Sequence, residues 1–93
     1  MTLYIVCYDI PQDKRRLKVA RQLEGAGQRV QRSVFECHLS ERQWKVLRGR
    51  LLKLLDERED SLRVYRLERA GLAQVEMYGA GPPLETSPDV FII

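Results

Sequence analysis

The sequence predicts an α+β fold in which two helices cover one face of a mostly antiparallel sheet. Two segments carry apolar residues at helical spacing, and several shorter segments are alternating or continuously apolar, as strands are. Their order is strand, helix, strand or split strand, helix, strand, strand and a terminal strand. This order predicts a ferredoxin-like βαββαβ sandwich with an extra C-terminal strand, and 93 residues suffice for one small domain.

The first strand and the first helix are predicted from the N-terminal segment. Thr2–Tyr8 is apolar on both alternating faces, which is typical of a central strand covered on both sides. Pro11 cannot continue a strand. Asp13 is predicted to be the N-cap of a helix that runs to about Glu24, where two nearby glycines end it.

The middle of the chain predicts a strand region followed by a second helix. Gln28–Leu39 has strand character, and its periodicity leaves open whether it is one strand or two short strands broken near Gln31–Arg32. Ser40 and Gln43 have the spacing of a capping box. The helix that follows has a core stripe formed by Trp44, Leu47, Leu51 and Leu55.

The remaining elements are a loop and further strands. The acidic cluster Asp56–Asp60 is expected to be a solvated turn. Ser61–Leu67 and Ala73–Tyr78 are both predicted to be strands.

The chain divides into a ferredoxin-like domain over residues 1–78 and a connector with a C-terminal strand over residues 79–93. Four successive apolar residues ending at Ile93 need a sheet edge to pair with. The connector Gly79–Pro88 is long enough to reach a second copy. Exchange of this strand within a homodimer is therefore favoured over a local strand.

Basic charge is concentrated in the first half of the chain. The net charge is +3 overall, but residues 1–50 carry +6 and residues 51–93 carry −3. Such a patch attracts polyanions, although a solvated helix face has the same composition. The candidate nucleic-acid contacts are Lys14, Arg15, Arg16, Lys18, Arg29 and Arg32.

Several other classes of protein are disfavoured. No apolar run approaches the length of a membrane span, and the N-terminus lacks signal-peptide features, so a cytoplasmic protein is expected. Glycine-rich phosphate loops and metalloprotease motifs do not occur. The single histidine, His38, and the cysteines Cys7 and Cys37 are expected to be structural residues.

Asp9 is the candidate for chemistry. It follows a hydrophobic strand and precedes a proline turn, so its carboxylate is expected at the edge of the sheet. Mg²⁺ takes one or two carboxylates together with waters and phosphate oxygens. Two Asp9 side chains related by a dimer axis would supply that number. The alternative is that Asp9 only initiates the turn.

Two segments carry a resemblance to a known family. They are Tyr8-Asp9-Ile10, with Asp13, Arg16 and Lys18 on the helix, and the segment Arg29–Cys37 (RVQRSVFEC). Together with the predicted strand segment Asp60–Tyr65, they resemble the CRISPR-associated protein 2 family over roughly residues 2–67.

The resemblance implies a homodimer in which the two Asp9 carboxylates share one Mg²⁺. It also implies metal-dependent cleavage of single-stranded RNA or duplex DNA, and a scaffold role on duplex DNA between dimers of the CRISPR-associated integrase. Positions that the family ties to activity correspond to Tyr8, Asp9, Arg16, Arg29 and Phe35.

Three functions stay open at this point. The first is a CRISPR adaptation protein that binds DNA and cleaves nucleic acid, and the second is an adaptation scaffold without cleavage. The third is a stand-alone ferredoxin-like ribonuclease of the interferase-toxin type. The residues alone do not decide between RNA and DNA, nor do they identify the metal.

Overall fold

The computed structural model describes residues 1–84, which contain four strands and three helices. In chain order these elements are β1 (Thr2–Asp9), α1 (Asp13–Glu24), β2 (Gln28–Gln31), β3 (Val34–Leu39), α2 (Glu41–Leu54), β4 (Ser61–Leu67) and the single turn α3 (Arg69–Leu72).

The four described strands form one antiparallel sheet in the order β2-β3-β1-β4. Strand β1 lies in the centre, with Val6 opposite both Phe35 of β3 and Val64 of β4. Its residues on the helix side, Tyr4 and Val6, are fully buried, whereas Ile5 and Cys7 on the other face are half-buried. The predicted ferredoxin-like βαββαβ architecture is confirmed.

Both long helices pack on the same face of the sheet. The core contains alternate residues of β1, including Tyr4 and Val6, together with buried residues of α1 and α2. The ring of Tyr4 stacks on that of Trp44 at a centroid distance of 4.7 Å. The predicted stripe of α2 is confirmed, with Trp44, Leu47 and Leu51 buried and Leu55 packed at the margin.

The region Gln28–Leu39 consists of two strands, so the second of the two open alternatives holds. Strands β2 and β3 pair with each other, and the register shifts between Arg29 and Gln31. Such an irregularity bends the strand and ends its pairing early.

Gly27 allows α1 to turn closely into β2. A Cβ atom at this position would lie 2.3 Å from the backbone oxygen of Glu36 and 2.6 Å from Sγ of Cys37. Glycine is the one residue without a Cβ, and therefore the one that fits this approach without displacing β3.

The predicted N-terminal cap is confirmed for α2 and is wrong for α1. Ser40 and Gln43 form the predicted capping box, with Gln43 N donating to Ser40 Oγ over 3.2 Å. The prediction of Asp13 as the N-cap of α1 is wrong, since Gln12 occupies that position and its side chain makes no cap hydrogen bond. Asp13 is the first helical residue and pairs with Arg16, and its charge there also complements the helix dipole.

The prediction of a strand over Ala73–Tyr78 is also wrong. Helix α3 ends just before this segment, and Gln74 N and Val75 N donate to the carbonyls of Gly71 and Leu72. These local hydrogen bonds use the amides that a sheet ladder would need. The predicted C-terminal strand lies outside the described residues, and the boundary at residue 78 stays a prediction.

The described residues contain no helix that is long and apolar enough to cross a membrane.

Candidate functional site

A cleft of about 510 Å³ lies at the end of β1. It forms where β1 ends, α1 begins and the turn between β2 and β3 comes alongside. Its lining residues are Tyr8, Asp9, Ile10, Pro11, Arg16, Arg29, Arg32 and Ser33. Four of the five residues predicted to be catalytic therefore meet at one place.

Asp9 is the last residue of β1, and its side chain is exposed at the edge of the sheet. Its backbone lies opposite Ser61 of β4, and this pairing fixes the position of Asp9 along the sheet. Within residues 1–84, no group of three histidine, cysteine, aspartate or glutamate side chains gathers to hold a metal. Asp9 is the one acidic residue among the cleft-lining residues, and a single carboxylate fits an Mg²⁺ ion that takes its remaining ligands from waters and phosphate oxygens.

Tyr8 lies at the inner wall of the cleft and is only 6% exposed. Burial raises the pKa of its hydroxyl, and the nearby Arg29 guanidinium opposes that rise. The side chain is consequently a neutral phenol at neutral pH, able to donate a hydrogen bond.

Phe35 belongs to the core beneath the cleft and does not line it. Its side chain is fully buried, and its ring lies 6.3 Å from the ring of Tyr8. The guanidinium of Arg29 lies over the ring of Phe35, 4.9 Å from its centroid. Phe35 therefore supports two cleft residues without contacting what binds there.

Arg29 is held in place from three sides. Besides its contact with Phe35, its Nη1 donates to the carbonyl of Arg32 over 2.7 Å and its Nη2 pairs with Glu24 over 3.2 Å. A guanidinium has five N–H donors, so these contacts leave donors for a phosphate.

Arg16 is fixed at the opposite wall. Its Nη1 donates to the carbonyl of Ile10 over 2.9 Å, and its Nη2 pairs with Asp13. The side chain remains 42% exposed. This anchoring holds a positive charge beside Asp9 at little further cost in side-chain entropy when an anion binds.

Arg15 points away from the cleft and connects α1 to the loop before β4. Its Nε donates to Asp60 over 2.8 Å and its Nη2 to Glu59 over 2.9 Å. The Arg15 guanidinium lowers the pKa of the Asp60 carboxyl, which is fully enclosed. The expectation that the cluster Asp56–Asp60 is only a solvated turn is therefore wrong at Asp60.

The other predicted nucleic-acid contacts are divided between two places. Arg32 lines the cleft, whereas Lys14 and Lys18 are exposed on α1 outside the cleft lining. Glu24 pairs with Arg29, and this contact was not predicted from the sequence. No local pattern indicates the pair, since it depends on how the chain turns at the two glycines.

Comparison with known proteins shows which family the chain belongs to. The family model for CRISPR associated protein Cas2 matches residues 1–75. The chain belongs to the Cas2 family. A CRISPR-associated endoribonuclease Cas2 of Chloroflexus aurantiacus is 52% identical over 91 residues, which are 97% of this chain and 98% of the relative.

Two solved structures are also similar. Cas2 of Streptococcus pyogenes superposes with a TM-score of 0.73 and 35% identity, covering 83% of this chain and 99% of that one. A chain of a partial Cas6-RT-Cas1–Cas2 complex has a TM-score of 0.65 and 32% identity, covering 83% and 90%. The Cas2 family and this neighbour support a CRISPR-associated role for the protein.

Proposed function

We propose that this Cas2-family protein is a CRISPR adaptation protein that binds duplex DNA as a homodimeric scaffold with the Cas1 integrase. We further propose metal-dependent endonuclease activity centred on Asp9, with single-stranded RNA and duplex DNA as its candidate substrates. The observation that carries the proposal is the cleft itself, in which one exposed carboxylate lies among three arginines. The similar solved complex contains both Cas1 and Cas2, which supports Cas1 as the partner. The expected compartment is the cytoplasm.

The arginines account for recognition of a phosphodiester. Arg16 and Arg29 are held by protein contacts on one side and keep free donors on the other. Arg32 adds a third charge on the same wall as Arg29. Charge-assisted hydrogen bonds from such groups bind phosphate oxygens strongly and orient the backbone next to Asp9.

Asp9 accounts for the cleavage part of the proposal. Its carboxylate, with that of a second protomer, would hold one Mg²⁺, which when bound polarises the phosphate and acidifies a water. Tyr8 stays protonated at neutral pH and is placed to donate a hydrogen bond to a phosphate or leaving oxygen. Arg16 and Arg29 offset the charge that develops on the phosphate.

The uncovered face of the sheet supports the dimer. Ile5 and Cys7 of β1 point away from the helices and are half-buried, and Tyr65 of β4 opposite Ile5 is 49% exposed. An apolar sheet face of this kind is normally covered by another layer. A second protomer on this face is the proposed cover.

The first experiment measures nuclease activity of wild type and Asp9→Asn with and without Mg²⁺, on single-stranded RNA and on duplex DNA. Glu57→Gln, an exposed carboxylate of the loop before β4, is the matched control. Metal-dependent cleavage that is lost only in the Asp9 variant, with the dimer retained, supports the catalytic proposal. Cleavage that survives in Asp9→Asn refutes it. If neither the wild type nor any variant cleaves, only the scaffold role remains.

The second experiment tests DNA binding independently of cleavage. The logarithm of the affinity is expected to fall with the logarithm of salt concentration with a slope of about −0.9 per neutralised phosphate. Arg29→Gln with Arg32→Gln removes four arginines from the homodimer and should reduce that slope by up to about 4, whereas Arg58→Gln on the acidic loop should leave it unchanged. A flat salt response contradicts the nucleic-acid function.

The shared metal predicts a stoichiometry. Mn²⁺ in place of Mg²⁺ is expected to bind at one ion per two chains and to be lost in Asp9→Asn. Binding of one ion to each chain would contradict the sharing.

A further inference from the structure

A second groove lies on the helical layer, remote from the cleft at the end of β1. Its volume is about 560 Å³, and it shares no lining residue with that cleft. It runs between the C-terminal part of α1 and the adjacent side of α2. A cavity of this size accommodates a few side chains of a bound segment.

Three arginines surround the groove. Arg21 comes from α1, and Arg42 and Arg50 come from α2. None of the three makes an ion pair or a side-chain hydrogen bond with another residue in the range 1–84, in contrast to Arg15, which is paired twice. The groove is therefore positively charged, with no acidic group among its lining residues.

The floor of the groove is apolar. Leu39 and Leu47 are 8% and 6% exposed, and Ala26 is also a lining residue. Val46 lies among the arginines and is 52% exposed, which leaves a branched aliphatic side chain in contact with solvent. An apolar partner group placed here would cover Val46 and gain the usual benefit of burial.

This combination selects the class of ligand. A phosphodiester backbone requires only spaced cations and gains nothing from an aliphatic floor. A peptide in which Asp or Glu flanks an aliphatic residue matches both the arginines and the floor. We propose that the groove between α1 and α2 binds an acidic segment of a protein partner, anchored by an aliphatic side chain over Val46. This inference does not depend on the nuclease or DNA-binding function of the cleft.

The test begins with a phage-displayed library of short random peptides, selected on the wild-type protein. Counter-selection uses the double variant Arg42→Gln/Arg50→Gln. We expect peptides that combine Asp or Glu with Leu, Ile or Val. Absence of enrichment, or enrichment without this composition, overturns the proposal.

A selected peptide is then synthesised, and its affinity is measured by fluorescence anisotropy. Arg42→Gln/Arg50→Gln and, separately, Val46→Asp should each weaken binding about tenfold or more, which corresponds to about 1.4 kcal/mol. The matched control is Lys45→Gln/Arg48→Gln, which removes the same charge from the same helix outside the groove. This control should keep the peptide affinity within about twofold.

Two outcomes refute the groove as a protein-binding site. If both double variants weaken peptide binding equally, the peptide responds only to the net charge of α2 and not to the groove. In the second outcome, duplex DNA displaces the peptide, and the groove variant lowers the affinity for DNA while the control does not. This result means that the groove binds nucleic acid. Circular dichroism of every variant verifies that α2 is intact.

Discussion

Replacement of Phe35 by leucine tests whether the ring only supports the residues of the cleft or acts directly on the substrate. The ring is fully buried, and it lies 6.3 Å from the ring of Tyr8 and 4.9 Å from the Arg29 guanidinium. Leucine keeps an apolar side chain in the core but removes the aromatic pair and the cation–π contact. These losses, together with imperfect repacking, amount to about 1–3 kcal/mol in the free energy of unfolding.

The assay is urea denaturation followed by fluorescence. Trp44 is the only tryptophan of the chain, and its stacking on Tyr4 makes its emission a direct report of core packing. Protein concentration is held constant, since the stability of an oligomer depends on it. In thermal unfolding the same variant should lose roughly 5–20 °C in Tm, given the usual shift for a domain of this size.

The matched control is Tyr78→Leu, which removes an aromatic ring that is 85% exposed. Its unfolding free energy should stay within about 0.5 kcal/mol of wild type. If Phe35→Leu instead unfolds at the wild-type midpoint and still loses nucleic-acid binding or cleavage, the ring acts directly on the substrate. That result would refute the assignment of Phe35 to the supporting core.

Three further predictions concern packing and ionisation. Gly27→Ala should lower stability by about 1–3 kcal/mol in urea denaturation, since its methyl group would overlap Cys37 and a backbone oxygen, and a wild-type midpoint would contradict this approach. The depressed pKa of Asp60 beside Arg15 means that its stabilising contribution is present above the unfolded pKa of about 3.9 and is lost as pH falls through the folded value. Acid titration of Asp60→Asn should therefore show a smaller loss of stability below about pH 5 than wild type, and identical curves would exclude the pair as the cause. Burial raises the pKa of Cys37 to about 11, so its thiol should resist alkylation in the native protein at neutral pH, and rapid modification detected by mass spectrometry would show that the core opens there.

Most of the fold was predictable because it follows from local patterns. The capping box at Ser40 and the stripe through Leu47 define α2 without tertiary information. The double-sided apolarity of β1 indicates its central place. The error at Ala73–Tyr78 lies where a tertiary contact decides, because the helical turn that buries Leu72 is followed by local hydrogen bonds from the amides that a strand would need.

The candidate site was predictable in part. Asp9 and Arg16 are close in sequence, so the strand-to-helix turn brings them together without long-range information. The resemblance to a family added Phe35 and tied Arg29 to activity, but only the packing shows that Arg29 lines the cleft and that Phe35 lies beneath it. The partner of Arg15 is 45 residues away in sequence, and no local pattern predicts such a contact.

The central position of β1 also has a consequence for the order of events during folding. Strand β1 precedes β3 and β4 in the chain and pairs with both, and its end at Asp9 lies opposite Ser61. Closing contacts this distant in sequence is slow compared with forming helices or hairpins. A nascent chain that stops before β4 keeps one side of its most apolar strand unpaired, which is a hazard for aggregation. The carboxylate of Asp9 consequently reaches its final setting late, after nearly the whole sheet has been synthesised.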